Sequence, residues 1–163
     1  MKYKAMALAD AGIKMAVTSS PAVLPVVRAA VEKLSQQLGF DSQQVHQTVL
    51  AVDEALSNII RHGYAGDQTR PIDIQLAPVG KNGGGEGLII RLRDYGKAFE
   101  PSEVLPGNAP EIGKAGEIDN VASGGFGVHI MMTCMDSVEY KQAQGGGMEL
   151  TMVKLLPPSG KVR

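Results

Sequence analysis

One cysteine, Cys134, serves the whole 163-residue chain. That excludes an internal disulfide and a cysteine-based zinc site, and it fits a reducing compartment. No apolar run approaches the roughly 20 residues of a membrane-spanning helix, and the N-terminal MKYKAMALADAG lacks the core of a signal peptide. The expected location is the cytoplasm, with no membrane partner. Charge of either sign is not in excess, since 16 basic residues stand against 17 acidic ones. The broad positive field that nucleic acids select is therefore missing, and the expected partners are proteins or small molecules. Neither GKS nor GKT occurs, which removes a P-loop. A Rossmann fingerprint fails as well, because the glycine pair that opens a helix at 125 and 127 lacks its third glycine and follows a long loop instead of a strand.

What is present suffices for one domain covering 1–163, long enough to bury a core without metal or disulfide. IKMAVTS at 13–19 reads as a strand, and Ser20 with Pro21 signals a helix start. Val23, Val27, Ala30, Val31, Leu34 and Leu38 then recur at helical spacing until Gly39. Asp41 or Ser42 can cap a second helix beginning near Gln43. IDIQLAP (72–78) and GLIIRLRD (87–94) form a hairpin across NGGGEG, and SVEYKQ with MELTMVKLL forms another across QGGG. Between the hairpins, about 97–124 carries prolines and glycines without an apolar period, and a connection that long is more often a lid or binding loop than filler. GVHIMMTCM (127–135) reads as a short buried helix, with Cys134, Met131, Met132 and Met135 in the core. The order predicts an α+β fold: a two-layer sandwich of a mainly antiparallel, mixed sheet with helices on one face.

Chemistry concentrates in three stretches. In VDEALSNIIRHGY (52–64), Val45, Val49, Val52, Leu56 and Ile59 make one apolar stripe, and Glu54 and Asn58 lie roughly opposite. That row is either a solvated back face or, with Ala51 and Ala55 keeping the surface low and His62 extending it, the lining of a cleft. In RDYGKAF (93–99), Asp94 and Gly96 are ordinary residues for a strand-ending turn. Equally, the Asp94 carboxylate can accept a hydrogen bond from an exocyclic amine such as N6 of adenine, while Gly96 allows close approach of a flat ring. In SGGFGVHIM (123–131), Gly125 and Gly127 either serve the turn or offer free amides and a positive helix end to phosphate.

Taken together, ExxxN on a helix, DxGxxF after a strand, and a long lid ending in GxG at a helix start resemble the GHKL (Bergerat-fold) ATPase superfamily. DEALSNIIRHGY, RDYGKAFEP, GGFGVHIMMTCMDSVEY and GMELTMVK are similar to the bacterial anti-sigma factor serine kinases within it, over roughly 15–156. The resemblance implies a histidine-kinase-like ATPase fold and an ATP pocket between the helical layer and the sheet, under a lid at about 97–124. It implies that Asn58 coordinates Mg2+, that Glu54 is the catalytic residue orienting or deprotonating the attacking hydroxyl, and that Asp94 binds adenine with Gly96 beside it. Thr151 on the last strand would support that contact, Gly125 and Gly127 would hold phosphate, and His62 would border the nucleotide. Arg28, in the first helix, lies where the family meets its partners. Those partners are an anti-anti-sigma protein, which receives phosphate on a serine, and a sigma factor; a second copy of the chain is a further candidate. The acid and proline content of GNAPEIGKAGEIDN, and Val128 with His129 after the glycine, depart from the family's usual wording.

Three functions are thereby in competition. The first is an ATP-dependent protein serine kinase that sequesters a sigma factor. The second is a module that retains nucleotide and regulates its partner without phosphorylating it, against which Glu54 argues because a binder needs no base. The third is the detached catalytic half of a histidine kinase, disfavoured because no phosphoacceptor helix precedes the domain.

Overall fold

The computed structural model describes residues 12–80, 87–101 and 125–157. Of the expected lid at 97–124, only 97–101 fall within them. Strand β1 (Ile13–Thr18) leads through a single 3-10 turn, Pro21–Val23, into helix α1 (Leu24–Leu38). The Ser20 side chain accepts the Ala22 N–H at that entry, and Gly39 closes α1 with φ of 93°, a left-handed conformation that glycine adopts without a Cβ penalty. Helix α2 (Ser42–Asn58) starts at Asp41, whose carboxylate takes the Gln44 N–H while the Gln44 side chain returns to the Asp41 N–H. This reciprocal capping box satisfies two otherwise orphaned donors. Strands β2 (Pro71–Val79) and β3 (Gly87–Asp94), helix α3 (Gly125–Cys134), and strands β4 (Ser137–Gln142) and β5 (Met148–Leu155) complete the chain.

The sheet has five strands in the order β1-β2-β3-β5-β4, and every pairing in it is antiparallel. Because side chains alternate along a strand, the register sorts residues onto two faces. Ile72, Ile74, Leu76, Leu88, Ile90, Leu92, Leu150 and Met152 face the helices and share one core with Val27 and Val31 of α1, Val52 and Leu56 of α2, and Val128 and Met131 of α3. Helix α2 sits centrally, touching α1 on one side and α3 on the other. The opposite sheet face divides in two. Ala77, Val79, Ile89 and Val153 form a second buried cluster, whereas Gln75, Arg91 and Thr151 line up across β2, β3 and β5 as a polar row. Met131, Cys134 and Met135 are buried as expected, but Met132 is exposed, because it falls on the side of α3 turned away from α2 and the sheet.

Candidate functional site

The helix that carries Glu54 does not continue regularly past Asn58. Ile59–Gly63 widen into one π turn, closed by the Tyr64 N–H donating to the Ile59 carbonyl at 2.9 Å. Such insertions are rare and recur at functional sites. Here the turn swings Gly63 toward the end of β3. Its carbonyl accepts the Lys97 N–H at 3.0 Å, and a Cβ on Gly63 would sit 3.5 Å from Asp94 Oδ1. Buried Tyr64 fastens the junction: its hydroxyl donates to the Pro71 carbonyl at 2.5 Å and accepts the Tyr95 N–H at 2.8 Å.

Asp94 is 4% exposed. Its Oδ1 accepts the Gly96 N–H at 2.9 Å, and the Met148 N–H donates to the same carboxylate. Burial raises its pKa above the ordinary carboxylate value; the two N–H donors and the Arg93 charge oppose that shift without reversing it. Arg93 makes no ion pair with Asp94. Its guanidinium lies on the other face of the sheet, donating to the carbonyls of Asp94, Met148 and Gln144 and lying 4.4 Å from the Tyr95 ring centroid. Asp94 is thus a buried carboxylate with acceptor capacity left over, the condition for reading an amine.

The residue of β5 beside Asp94 is Met148, where the sequence reading had placed Thr151. Arg93 pairs with Glu149, so the next step of the register sets Met148 opposite Asp94. Thr151 instead pairs with Arg91 and Glu139, on the face away from the helices, and the structure does not bring it to Asp94. The side-chain space of Gly96 is likewise filled from within: a Cβ there would meet the Gly63 carbonyl oxygen at 2.1 Å. Close approach is required at Gly96 by the π turn itself.

Glu54 and Asn58 converge with α3. A Cβ on Gly127 would lie 2.9 Å from Glu54 Oε2, 3.1 Å from Asn58 Nδ2 and 3.3 Å from Asn58 Oδ1, so the first turn of α3 rests directly on the polar row. Ala51 and Ala55 are buried in the shared core. Their burial corrects the expectation that they leave a low surface open to a ligand. Gly125 opens α3. His62 is exposed on the π turn. Arg28 is exposed at the α1 surface, yet its Nε is paired to the Asp53 carboxylate of α2 at 2.7 Å.

Sequence reasoning missed Tyr140. Strand β4 directs it toward the helices, where Phe99 meets its ring edge-on at 5.3 Å between centroids. Its hydroxyl lies 4.0 Å from Met131 Sδ, with the Asn58 side chain and the Asp94 charge both near enough to bear on its acidity. Burial, first, and then that charge push the phenol pKa up, with the Asn58 side chain opposing them. Tyr140 therefore joins the Asn58 end of the site to the Asp94 end. Alternation along SVEYKQ, with Val138 and Tyr140 on one face, was the available signal.

The donor set fits a magnesium nucleotide. Among the described residues no group of three His, Cys, Asp or Glu side chains could hold a metal ion alone. A single amide oxygen at Asn58, beside a helix start built close by Gly127, suits a hard cation that keeps most of its ligands as water and phosphate.

A sequence profile of the histidine kinase-like ATPase domain matches residues 17–154. The chain belongs to that family. Two curated relatives, each described as "Serine-protein kinase RsbW", come from Halalkalibacterium halodurans and Bacillus licheniformis. The first is 27% identical over 144 residues, covering 88% of this chain and 83% of the relative. The second is 24% identical over 144 residues, covering 88% and 85%. A crystal structure of the RsbU and RsbW domains of a Mycobacterium tuberculosis protein superposes with a TM-score of 0.61 at 18% identity, over 93% of this chain and 34% of that longer one. That likeness establishes the α+β sandwich as the histidine kinase-like ATPase fold. Among the described residues, no helix is long and apolar enough to cross a membrane.

Proposed function

We propose that this chain is an ATP-dependent protein serine kinase and anti-sigma factor, which phosphorylates a serine of an anti-anti-sigma partner and sequesters a sigma factor. The observation that carries the proposal is the convergence of Glu54 and Asn58 beneath Gly127, with Tyr140 bridging that point to the buried Asp94. The names of the relatives supply the direction of the chemistry.

In this reading Asp94 accepts the exocyclic amine of adenine, and its two backbone donors hold the carboxylate in the orientation that leaves lone pairs for the amine. Asn58 presents its amide oxygen to Mg2+, while the amides at Gly125 and Gly127 face phosphate. Magnesium-bound ATP supplies the phosphoryl group and the neutralising charge. Glu54 orients the partner's serine hydroxyl and takes its proton as the serine oxygen bonds to phosphorus and the bond to the leaving diphosphate breaks. Catalysis of this kind rests on positioning and charge, which explains why one carboxylate suffices. Arg28 and Asp53 contribute a charged patch on the outer surface of α1 and α2 for protein partners.

Incubation with γ-labelled ATP and the candidate anti-anti-sigma protein is the test. Label on a serine of that protein is the expected result. A chain that binds ATP and its partner but never transfers label is instead a nucleotide-dependent binding module.

A further inference from the structure

Beyond its last pair with β2, strand β3 leaves one step of the ladder unclosed. Ile72 lies opposite Asp94, so the next step of an antiparallel register sets Pro71 opposite Tyr95. A ladder that closed there would join the Tyr95 N–H directly to the Pro71 carbonyl. The Tyr64 hydroxyl stands between the two groups instead, 2.8 Å from the Tyr95 nitrogen and 2.5 Å from the Pro71 oxygen. Its partners fix its polarity. A backbone amide only donates and a carbonyl only accepts, so the phenol accepts from Tyr95 and gives its one hydrogen to Pro71.

We infer that Tyr64 is a positioning residue for adenine recognition: its hydroxyl, wedged into the end of the β2–β3 ladder, holds the chain after Asp94 in the turn that orients the Asp94 carboxylate for the exocyclic amine. The inference deepens the kinase reading and rests on it. With the ladder held open at Tyr95, the backbone that follows turns back on the site. The Gly96 N–H meets Asp94 Oδ1 at 2.9 Å, and the Lys97 N–H reaches the Gly63 carbonyl at 3.0 Å. Arg70 completes the clamp, donating to the Tyr95 carbonyl at 3.1 Å with its guanidinium 5.0 Å from the centre of the Tyr64 ring. Tyr64 and Arg70 thus hold both polar groups of the Tyr95 backbone, and the turn in its place fixes one oxygen of Asp94. Without the hydroxyl, the Tyr95 N–H and the Pro71 carbonyl face each other unpaired, which is costly for part-buried groups. The ladder then closes by one step and draws the Gly96 N–H away from Asp94.

Tyr64→Phe keeps the buried ring and deletes the hydroxyl alone. Calorimetry with Mg2+ compares ATP with purine riboside triphosphate, which differs only in lacking the exocyclic amine. Wild type should favour ATP. The variant should lose about 3- to 10-fold of that preference, the range of one neutral hydrogen bond, through weaker ATP binding, while its affinity for the amine-free nucleotide stays within about 2-fold. In the ligand-free variant the amide signals of Tyr95 and Gly96 should move, and that of Gly96 should exchange faster with solvent. Arg70→Ala, at an exposed side chain, should lower the same preference and carries the test if Tyr64→Phe does not fold. A preference for ATP that survives the substitution overturns this inference alone. Equal losses of affinity for the two nucleotides mark Tyr64 as merely structural and overturn it too. A wild type that binds both nucleotides equally overturns the assignment of adenine to Asp94, and this inference with it.

Discussion

At Asp94, binding and folding make opposite demands. Burial raises the carboxyl pKa above 3.8 in the folded chain, so the folded state holds the proton more tightly than the unfolded state. Stability from this group is therefore present below the unfolded value and lost as pH rises through the folded one. Nucleotide recognition needs the opposite form, because only the ionised group accepts without donating. Affinity for ATP is expected to decline on acidification at a pH above that of an ordinary aspartate, while Asp94→Asn shows a flatter profile and weaker binding at pH 7. Titration calorimetry across pH checks this; an affinity independent of pH down to the range of an exposed carboxyl would show that Asp94 does not contact the amine. Glu54 permits a cleaner separation. Glu54→Gln is nearly isosteric beneath Gly127, so it should change stability by only about 0.5 kcal/mol and leave ATP binding intact. Phosphoryl transfer should fall by about 10²- to 10⁴-fold if the carboxylate is the base, and transfer at the wild-type rate would remove it from that role. The two acids and Asn58 of the candidate site stand out in the sequence because each sits in a local motif. Met148 and Tyr140 do not, because what matters about them is which strand lies opposite, and for the same reason the sequence does not show that Thr151 pairs with Arg91 and lies away from Asp94.

At the scale of elements, two glycines separate structural from chemical necessity. The strands themselves were plain in the sequence: Leu88, Ile89 and Ile90 in succession signal a strand end apolar on both faces, and the alternation through Arg91, Leu92 and Arg93 signals one polar face. The π turn was invisible, since IIRHG reads as ordinary helix and its widening depends on Gly63 and Tyr64 meeting the end of β3 and the start of β2. Gly96→Ala puts a Cβ 2.1 Å from the Gly63 carbonyl oxygen. Both sides of that clash are backbone, so the π turn and the β3 turn must part, with a stability loss at or above the roughly 1–3 kcal/mol of ordinary overpacking. Gly127→Ala meets only side-chain ends, Glu54 Oε2 at 2.9 Å and the Asn58 amide at 3.1 Å, and these can swing aside. It should retain most of its stability and lose Mg2+-dependent binding and transfer. Denaturant melts and calorimetry on the pair distinguish the cases; the reverse ordering, with Gly127→Ala the less stable, would mean that α3 cannot yield at the Glu54 contact.

For the molecule as a whole, the candidate pocket draws on both layers: Glu54 and Asn58 from α2, Gly127 from α3, and Asp94 and Tyr140 from the sheet. A ligand seated there contacts elements far apart in sequence, and it binds the folded chain without binding the unfolded one. Saturation at about 100 times the dissociation constant then adds about 2.7 kcal/mol of stability. For a chain of this size each kcal/mol raises the melting temperature by about 2–4 °C, so magnesium ATP should raise it by about 5–10 °C. Asp94→Asn should reduce that rise, because the proposed reading gives the adenine amine to Asp94 in the sheet. Arg28→Ala should leave the rise intact. The pair it breaks with Asp53 is half-exposed on the outer helices, so its loss costs at most about 1 kcal/mol and touches no pocket residue. If the α1 surface receives protein partners, the same variant should weaken binding of the sigma factor or the anti-anti-sigma protein. Thermal melts with and without nucleotide, run beside a partner pull-down, read both effects on one sample. An Arg28→Ala chain that loses the nucleotide shift would join the two surfaces into one coupled site, and a wild type whose melt ignores magnesium ATP would empty the pocket of its proposed ligand.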